Sequence, residues 1–106
     1  MQITTMDFIP GAEIETHFGL VTGSTVRSKH IGRDIFAGIK NIFGGELKGY
    51  TELMNETRDE ALNRAIQIAQ AKGANAIVSL RFATSDVAPG AAEVFAYGTA
   101  VKIKSI

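Results

Sequence analysis

The sequence predicts an α+β fold in which one long helix packs against a three-stranded antiparallel sheet. Residues 51–72 carry apolar side chains at the i, i+3, i+4 and i+7 spacing of an amphipathic helix. Three other segments have side chains that alternate between two faces, with the period of two that is typical of strands. They are residues 13–27, 76–83 and 93–103. Because these segments follow one another as strand, helix, strand and strand, we predict a βαββ subunit.

The connections between the strands predict their order in the sheet. A right-handed crossover through the helix makes the first two long strands parallel to each other. The dipeptide Pro89-Gly90 lies between the last two strands and is typical of a hairpin connection. If the last strand lies between the other two, every pairing is antiparallel, and the predicted order is therefore 1-3-2. The small residues Ala96, Gly98 and Ala100 on that central strand favour a close approach of the helix.

Two shorter elements are predicted outside this unit. Residues 3–8 are expected to form a short extra strand, and residues 34–43 a short helix with an apolar stripe. Within the long helix, Glu60 and Arg64 stand four residues apart in the favourable order for an ion pair, which contributes a few tenths of a kcal/mol.

Composition limits the classes of protein and function. A chain of 106 residues supports one hydrophobic core, so residues 1–106 are expected to form a single domain. The eleven basic and eleven acidic side chains balance, which removes the general attraction to nucleic acid or an anionic membrane. The absence of cysteine excludes disulfides and thiolate metal sites. With no export signal and no apolar run of about 20 residues, we expect a cytoplasmic protein with no nucleic-acid or membrane partner.

The predicted sheet has more apolar surface than one helix covers. Leaving five large apolar side chains exposed forgoes on the order of 10 kcal/mol, which is comparable to the stability of a whole domain. Either the short helix folds back over the second face of the sheet, or it packs into a neighbouring subunit. The second alternative is favoured, and it predicts a homo-oligomer. The expected interface residues are Ile35, Phe36, Ile39 and Phe43.

Several short motifs together resemble the YbjQ family. They are Gly44-Gly45-Glu46, Tyr50-Thr51, Arg58, Gly73-Ala74-Asn75-Ala76-Ile77-Val78, Arg81-Phe82 and Tyr97-Gly98-Thr99-Ala100-Val101. That family consists of small bacterial and archaeal proteins without an established function, sometimes labelled as heavy-metal-binding. The resemblance implies a dodecin-like subunit assembled into a homopentameric ring, with short extra strands aiding association. It implies no catalytic residue.

One strand carries the best candidate for a metal site. Alternation is expected to place Glu13, Glu15 and His17 on one face of the first long strand, where they could converge on Zn²⁺ or Mn²⁺. The alternative is a solvated face, or salt bridges between subunits. Heavy, soft metals prefer thiolate and thioether ligands. Such metals therefore fit this cysteine-free chain poorly. No cofactor is predicted beyond such a divalent ion.

Two arginines are the candidate ligand-binding residues. Arg58 on the helix and Arg81 on a strand are expected either to pair with carboxylates or to clamp an anionic ligand in a crevice between subunits. No catalytic motif accompanies them. The leading hypothesis is a non-enzymatic homo-oligomer that binds a small ligand or ion at its subunit interfaces. The alternatives are an enzyme acting in such a crevice and metal sequestration by His17 and its neighbouring glutamates.

Overall fold

The computed structural model describes residues 1–28, 48–88 and 91–106. Within them are strand β1 (Gln2–Ile3), strand β2 (Ala12–Ser28), helix α1 (Lys48–Ala71), strand β3 (Ala76–Ala88) and strand β4 (Ala91–Ser105). The α+β class, with one long helix on a sheet, is therefore confirmed. The predicted short helix, with its interface residues Ile35, Phe36, Ile39 and Phe43, lies outside the described residues.

The sheet has four strands in the order β1-β3-β4-β2, because the short β1 joins in parallel the three long strands that were predicted to be antiparallel. β4 lies between β2 and β3 and is antiparallel to both. β1 adds in parallel to the outer edge of β3, because Gln2 and Thr4 donate their amides to the carbonyls of Asn75 and Ile77. The strand predicted at residues 3–8 is thus limited to Gln2–Ile3.

Helix α1 packs closely on one face of the sheet through alanine and glycine. Ala61, Ala65 and Ala69 are fully buried on the side of the helix that faces β2 and β4. A side chain at Gly23 of β2 would collide with the carbonyl oxygen of Ala61 and the amide nitrogen of Ala65. Glycine at this position therefore sets the distance between helix and sheet.

The described residues cover the second face of the sheet at one end only. There, the N-terminal segment, residues 4–12, brings Ile9 against a second apolar cluster. We call the uncovered remainder the open face. It comprises the side chains of Leu20, Thr22, Ser24, Val26, Phe95 and Tyr97, which the strand register places together. Leu20 is 68% exposed and Val26 51% exposed, so the described chain leaves apolar surface in solvent here.

A bulge in β3 holds the N-terminal segment in place. The register of β3 with β4 shifts between Val78 and Arg81, and Ser79 in that interval has a φ of 54°. The amide of Ser79 donates to the carbonyl of Met6 at 2.7 Å, and that of Leu80 to the carbonyl of Thr4 at 3.0 Å. The left-handed backbone at Ser79 thus turns an extra amide toward the N-terminal segment.

This backbone conformation makes a prediction for glycine substitutions in β3. Left-handed φ costs a non-glycine residue about 1–2 kcal/mol, whereas glycine in an ordinary strand position costs about 0.5–1 kcal/mol. We therefore expect Ser79→Gly to be more stable than the control Ser85→Gly by at least about 1 kcal/mol in urea denaturation. Equal unfolding free energies for the two variants would show that Ser79 is not strained.

Candidate functional site: a groove at the free edge of the sheet

A shallow groove of about 520 Å³ lies between β2 and α1. β2 is the last strand in the sheet order, so its outer edge has no neighbouring strand among the described residues. The groove follows this edge. It is lined by Thr22, Gly23 and Ser24 of β2 and by Arg64, Gln67, Ile68 and Ala71 of α1.

One hydrogen bond shows which backbone groups of β2 point outward. Nη1 of Arg64 donates to the carbonyl oxygen of Ser24, so that carbonyl points away from β4. In an antiparallel ladder, alternate residues direct both their N–H and their C=O to the same side. Leu20, Thr22 and Val26 share the parity of Ser24, and their backbone groups therefore face the groove edge.

Arg64 is the charged group of the groove. Its Nη2 lies 2.6 Å from Oε1 of Glu60, one turn earlier on α1, and the two side chains are 51% and 38% exposed. An ion pair this exposed contributes at most about 1 kcal/mol. A guanidinium has five N–H donors, of which two are used within the described residues. The remaining donors give the groove a cationic, hydrogen-bonding end.

The predicted alternation of Glu13, Glu15 and His17 is interrupted by one of the two bulges of β2, the one between Ile14 and Thr16. The register of β2 shifts between Ile14 and Thr16 and again between His17 and Gly19. Glu13 is opposite Lys104 and forms a 3.1 Å ion pair with it, whereas His17 is opposite Val101. Residues 101 and 104 are an odd number of positions apart along β4, so their side chains lie on opposite faces of the sheet. Glu13 and His17, which are opposite them, therefore also lie on opposite faces.

The predicted placement of Glu13, Glu15 and His17 on one strand face is therefore corrected. An inserted residue at each bulge reverses the facing of everything that follows, so a straight alternation does not apply. Across the described parts of the chain, no group of three histidine, cysteine, aspartate or glutamate side chains is placed to hold a metal ion.

The structure does not bring Arg58 and Arg81 together. Arg58 lies on α1 and donates to Oδ1 of Asn55 on the same helix. Arg81 lies on β3 opposite Tyr97, on the other side of the sheet, and its Nη1 donates to the carbonyls of Thr5 (2.9 Å) and Leu80 (2.8 Å). Arg81 therefore fastens the N-terminal segment to the sheet, and ligand binding by either arginine stays a prediction.

The sequence indicated Arg64 only as a helix partner of Glu60, and it did not indicate Gln67 or Ile68. Their common feature is a position beside Gly23, where the close approach of α1 to β2 brings this helix face to the sheet edge. A glycine in an edge strand opposite an alanine row was the available signal for that approach.

Comparison with known proteins decides the family. Residues 1–104 match a family model, YbjQ, that is described as "Putative heavy-metal-binding". The chain belongs to the YbjQ family. Within it, the chain is 64% identical to a UPF0145 protein of Hahella chejuensis over 101 residues, 95% of this chain and 97% of that one. It is 55% identical to a UPF0145 protein of Vibrio parahaemolyticus, over 97% of this chain and 98% of the relative.

A solved structure supports the fold of this YbjQ family member. A protein of unknown function from Pediococcus pentosaceus, which belongs to the DUF74 family, matches with a TM-score of 0.58 and 23% identity. The match covers 98% of both chains. At this identity the likeness concerns the fold alone.

The heavy-metal description does not fit the described lining of the groove in this YbjQ chain. Soft metals select thiolate and thioether sulfur. The chain has no cysteine, and the groove offers hydroxyl, amide and guanidinium groups. Met1 and Met6, at 42% and 44% exposure, are surface side chains of the N-terminal region and do not line the groove. Among the described residues, no helix is long and apolar enough to cross a membrane.

Proposed function

We propose that this YbjQ protein is a homo-oligomeric binding protein whose ligand site lies at a subunit boundary, in the groove between β2 and α1. The observation that carries the proposal is the position of the groove. It runs along a strand edge that has no neighbouring strand in the described chain. A neighbouring subunit at that edge would turn a shallow surface groove into an enclosed site.

Exposed apolar side chains support the oligomer. Leu20, Val26, Ile68 and Phe82 are between 41% and 68% exposed, and all four belong to β2, β3 or the groove side of α1. Covering such side chains contributes about 1.5–3 kcal/mol each when burial is complete. Association that covers these side chains, which lie on the open face, on α1 and at the outer edge of β3, therefore has a substantial apolar contribution. The homopentamer implied by the family resemblance is one assembly consistent with it.

The lining of the groove favours a small organic ligand over a metal ion. Arg64 and Gln67 supply hydrogen-bond donors at one wall, and Ile68 with Ala71 supplies apolar contact. A ligand with an anionic or carbonyl group beside an apolar portion matches this arrangement. The described lining residues include no carboxylate and no imidazole. We therefore propose binding and not catalysis as the activity of this groove.

Native mass spectrometry of protein purified without a tag tests the proposal. We expect the wild type to be an oligomer that carries a bound small molecule, seen as excess mass that disappears under denaturing conditions. Arg64→Gln is expected to lose this excess mass because it removes the one charged side chain among the described lining residues. Arg58→Gln, a matched change on the same helix outside the groove, is expected to retain it.

Three outcomes would contradict the proposal. A monomeric wild type would remove the subunit boundary. Excess mass retained by Arg64→Gln but lost by Arg58→Gln would move the ligand to the other arginine. Stoichiometric metal in elemental analysis of the tag-free oligomer, with no organic ligand, would favour the metal-binding alternative.

A further inference from the structure

We infer that a second copy of this chain pairs the outer edge of its β3, in parallel, with the free edge of β2, and thereby places its Phe82 over the groove. The inference rests on the proposed function, since it names the partner that closes the site. It is carried by the direction, facing and exposure of the two outer edges of one sheet.

Among the described residues, the second half of β2 has no device that prevents strand addition. Proteins protect edges with charged side chains, proline or bulges. Both bulges of β2 lie before Leu20, and residues 20–26 contain neither a charged side chain nor proline. Four successive outward-facing positions, ending at Val26, present backbone N–H and C=O groups. This stretch is suited to accept another strand.

The described part of β3 also has a free edge. The amide of Leu80 points outward, because it donates to the carbonyl of Thr4 in the N-terminal segment. Phe82 and Thr84 follow at intervals of two, so their backbone groups point to the same side. No strand covers these positions among the described residues, since β1 pairs only with Ala76 and Ile77. Phe82 is 43% exposed.

The facing of the side chains decides the direction of pairing. The residues of β2 whose backbone N–H and C=O groups point outward carry their side chains on the open face, as Ser24 does opposite Phe95. The outward residues of β3 carry theirs on the helix side, as Phe82 does opposite Ala96, which lies in the cluster beneath α1. In a parallel pair, a residue forms its backbone hydrogen bonds with the two residues before and after the one directly opposite it on the other strand. The hydrogen-bonding residues of the two strands therefore carry their side chains on opposite faces of the sheet.

Parallel pairing therefore keeps the helices of both copies on the same side of one continuous sheet. An antiparallel contact between β2 and β3 would place them on opposite sides. Within one copy, β2 and β3 already run parallel, because each is antiparallel to β4. Copies placed side by side present these edges to each other in the required direction. Repetition of this head-to-tail contact gives a closed ring when the rotation between copies completes a circle.

The same geometry completes the groove. The side chain of Phe82 of the next copy would lie on the α1 side of the joined sheet, next to Ile68, which is 41% exposed. Arg64 does not block the pairing, because the Ser24 carbonyl has two lone pairs and can accept a second donor. The groove thus acquires an aromatic wall that one copy does not provide at this edge.

Proline variants at the two edges test this inference. Thr22→Pro and Thr84→Pro each remove one outward N–H and leave the bonds to β4 in place, and edge strands tolerate proline at such positions. Both threonines are exposed. We expect each variant alone to lose the wild-type oligomer in native mass spectrometry. An equimolar mixture should form mixed dimers, because each variant retains the edge that the other has lost. Thr22→Val and Thr84→Val, which keep the N–H, should assemble normally.

The outcomes separate this inference from the proposed function. An oligomeric wild type whose two proline variants both assemble would overturn the edge pairing and leave the oligomer intact. Loss of assembly in Thr22→Pro alone would indicate an antiparallel contact between two β2 edges, and it would overturn the β3 contact. A monomeric wild type would overturn both proposals.

A second pair of variants covers the case in which a proline variant fails to fold by circular dichroism. Ile68→Lys and Phe82→Asp place opposite charges at the two sides of the expected contact. Each alone should weaken assembly, and the mixture should restore mixed oligomers. Mixtures no more assembled than the single variants would contradict the placement of Phe82 over Ile68.

Discussion

Replacing Gly23 by alanine is expected to destabilise the folded chain by about 3 kcal/mol or more. A Cβ at this position collides with the backbone of Ala61 and Ala65 in α1, which cannot move aside as a flexible side chain would. The whole helix must therefore shift away from β2. A loss of this size is a large fraction of the 5–15 kcal/mol that stabilises a typical domain.

Urea denaturation followed by circular dichroism measures this effect. Ser24→Ala, at the next position of the same strand, is the matched control, because its side chain lies on the open face opposite Phe95. It is expected to change the unfolding free energy by less than about 1 kcal/mol. An unchanged denaturation midpoint for Gly23→Ala, measured at the same protein concentration, would show that α1 does not approach β2 this closely.

A coupled pair of substitutions is expected to show the second large effect. Ile77 is fully buried, and Ile77→Ala should cost about 2–5 kcal/mol through lost apolar contact and the cavity that remains. Gly98 lies beside it, and a Cβ built at Gly98 would be 2.7 Å from Cγ2 of Ile77. Gly98→Ala should therefore destabilise the wild type by about 1–3 kcal/mol. The added methyl group should be better tolerated once Ile77 has been shortened.

A double-mutant cycle measures the coupling. We expect Gly98→Ala to cost at least about 1 kcal/mol less in the Ile77→Ala background than in the wild type. The relief is partial, because the same Cβ would also lie 3.0 Å from the carbonyl oxygen of Val78. Ile14→Ala, at a 47% exposed isoleucine in β2, serves as a control that should cost little and show no coupling. Strictly additive effects at 77 and 98 would contradict the contact.

The fold was predictable where the information is local or repeats regularly. The helical spacing and the period of two identified α1 and the three long strands, because burial on one face imposes those periods. In place of β1 (Gln2–Ile3), a longer strand at residues 3–8 was predicted, since the extent of β1 depends on the outer edge of β3 and on the extra amide at Ser79. A left-handed serine within a strand leaves no pattern in the sequence.

The candidate site was harder to predict because it depends on register and on tertiary neighbours. Glu13 and His17 have the spacing of one strand face, yet the bulge between Ile14 and Thr16 separates them, and bulges arise from pairing with β4. Arg64 belongs to the groove only because Gly23 allows α1 to lie against an edge strand. Neither relation can be read from one segment of the chain.

The order of the strands has a consequence for how this protein is made. β4 is at the centre of the long-stranded part of the sheet, and its pairs with β2 are separated by 63 residues of chain at Ser28–Ala91 and by 93 at Ala12–Ser105. During synthesis on the ribosome, β2 is therefore without β4, its one sheet neighbour among the described residues, until β4 has emerged. Its uncharged stretch, residues 20–26, has both edges unpaired throughout that interval. Nascent chains on neighbouring ribosomes have this interval in which to associate with one another.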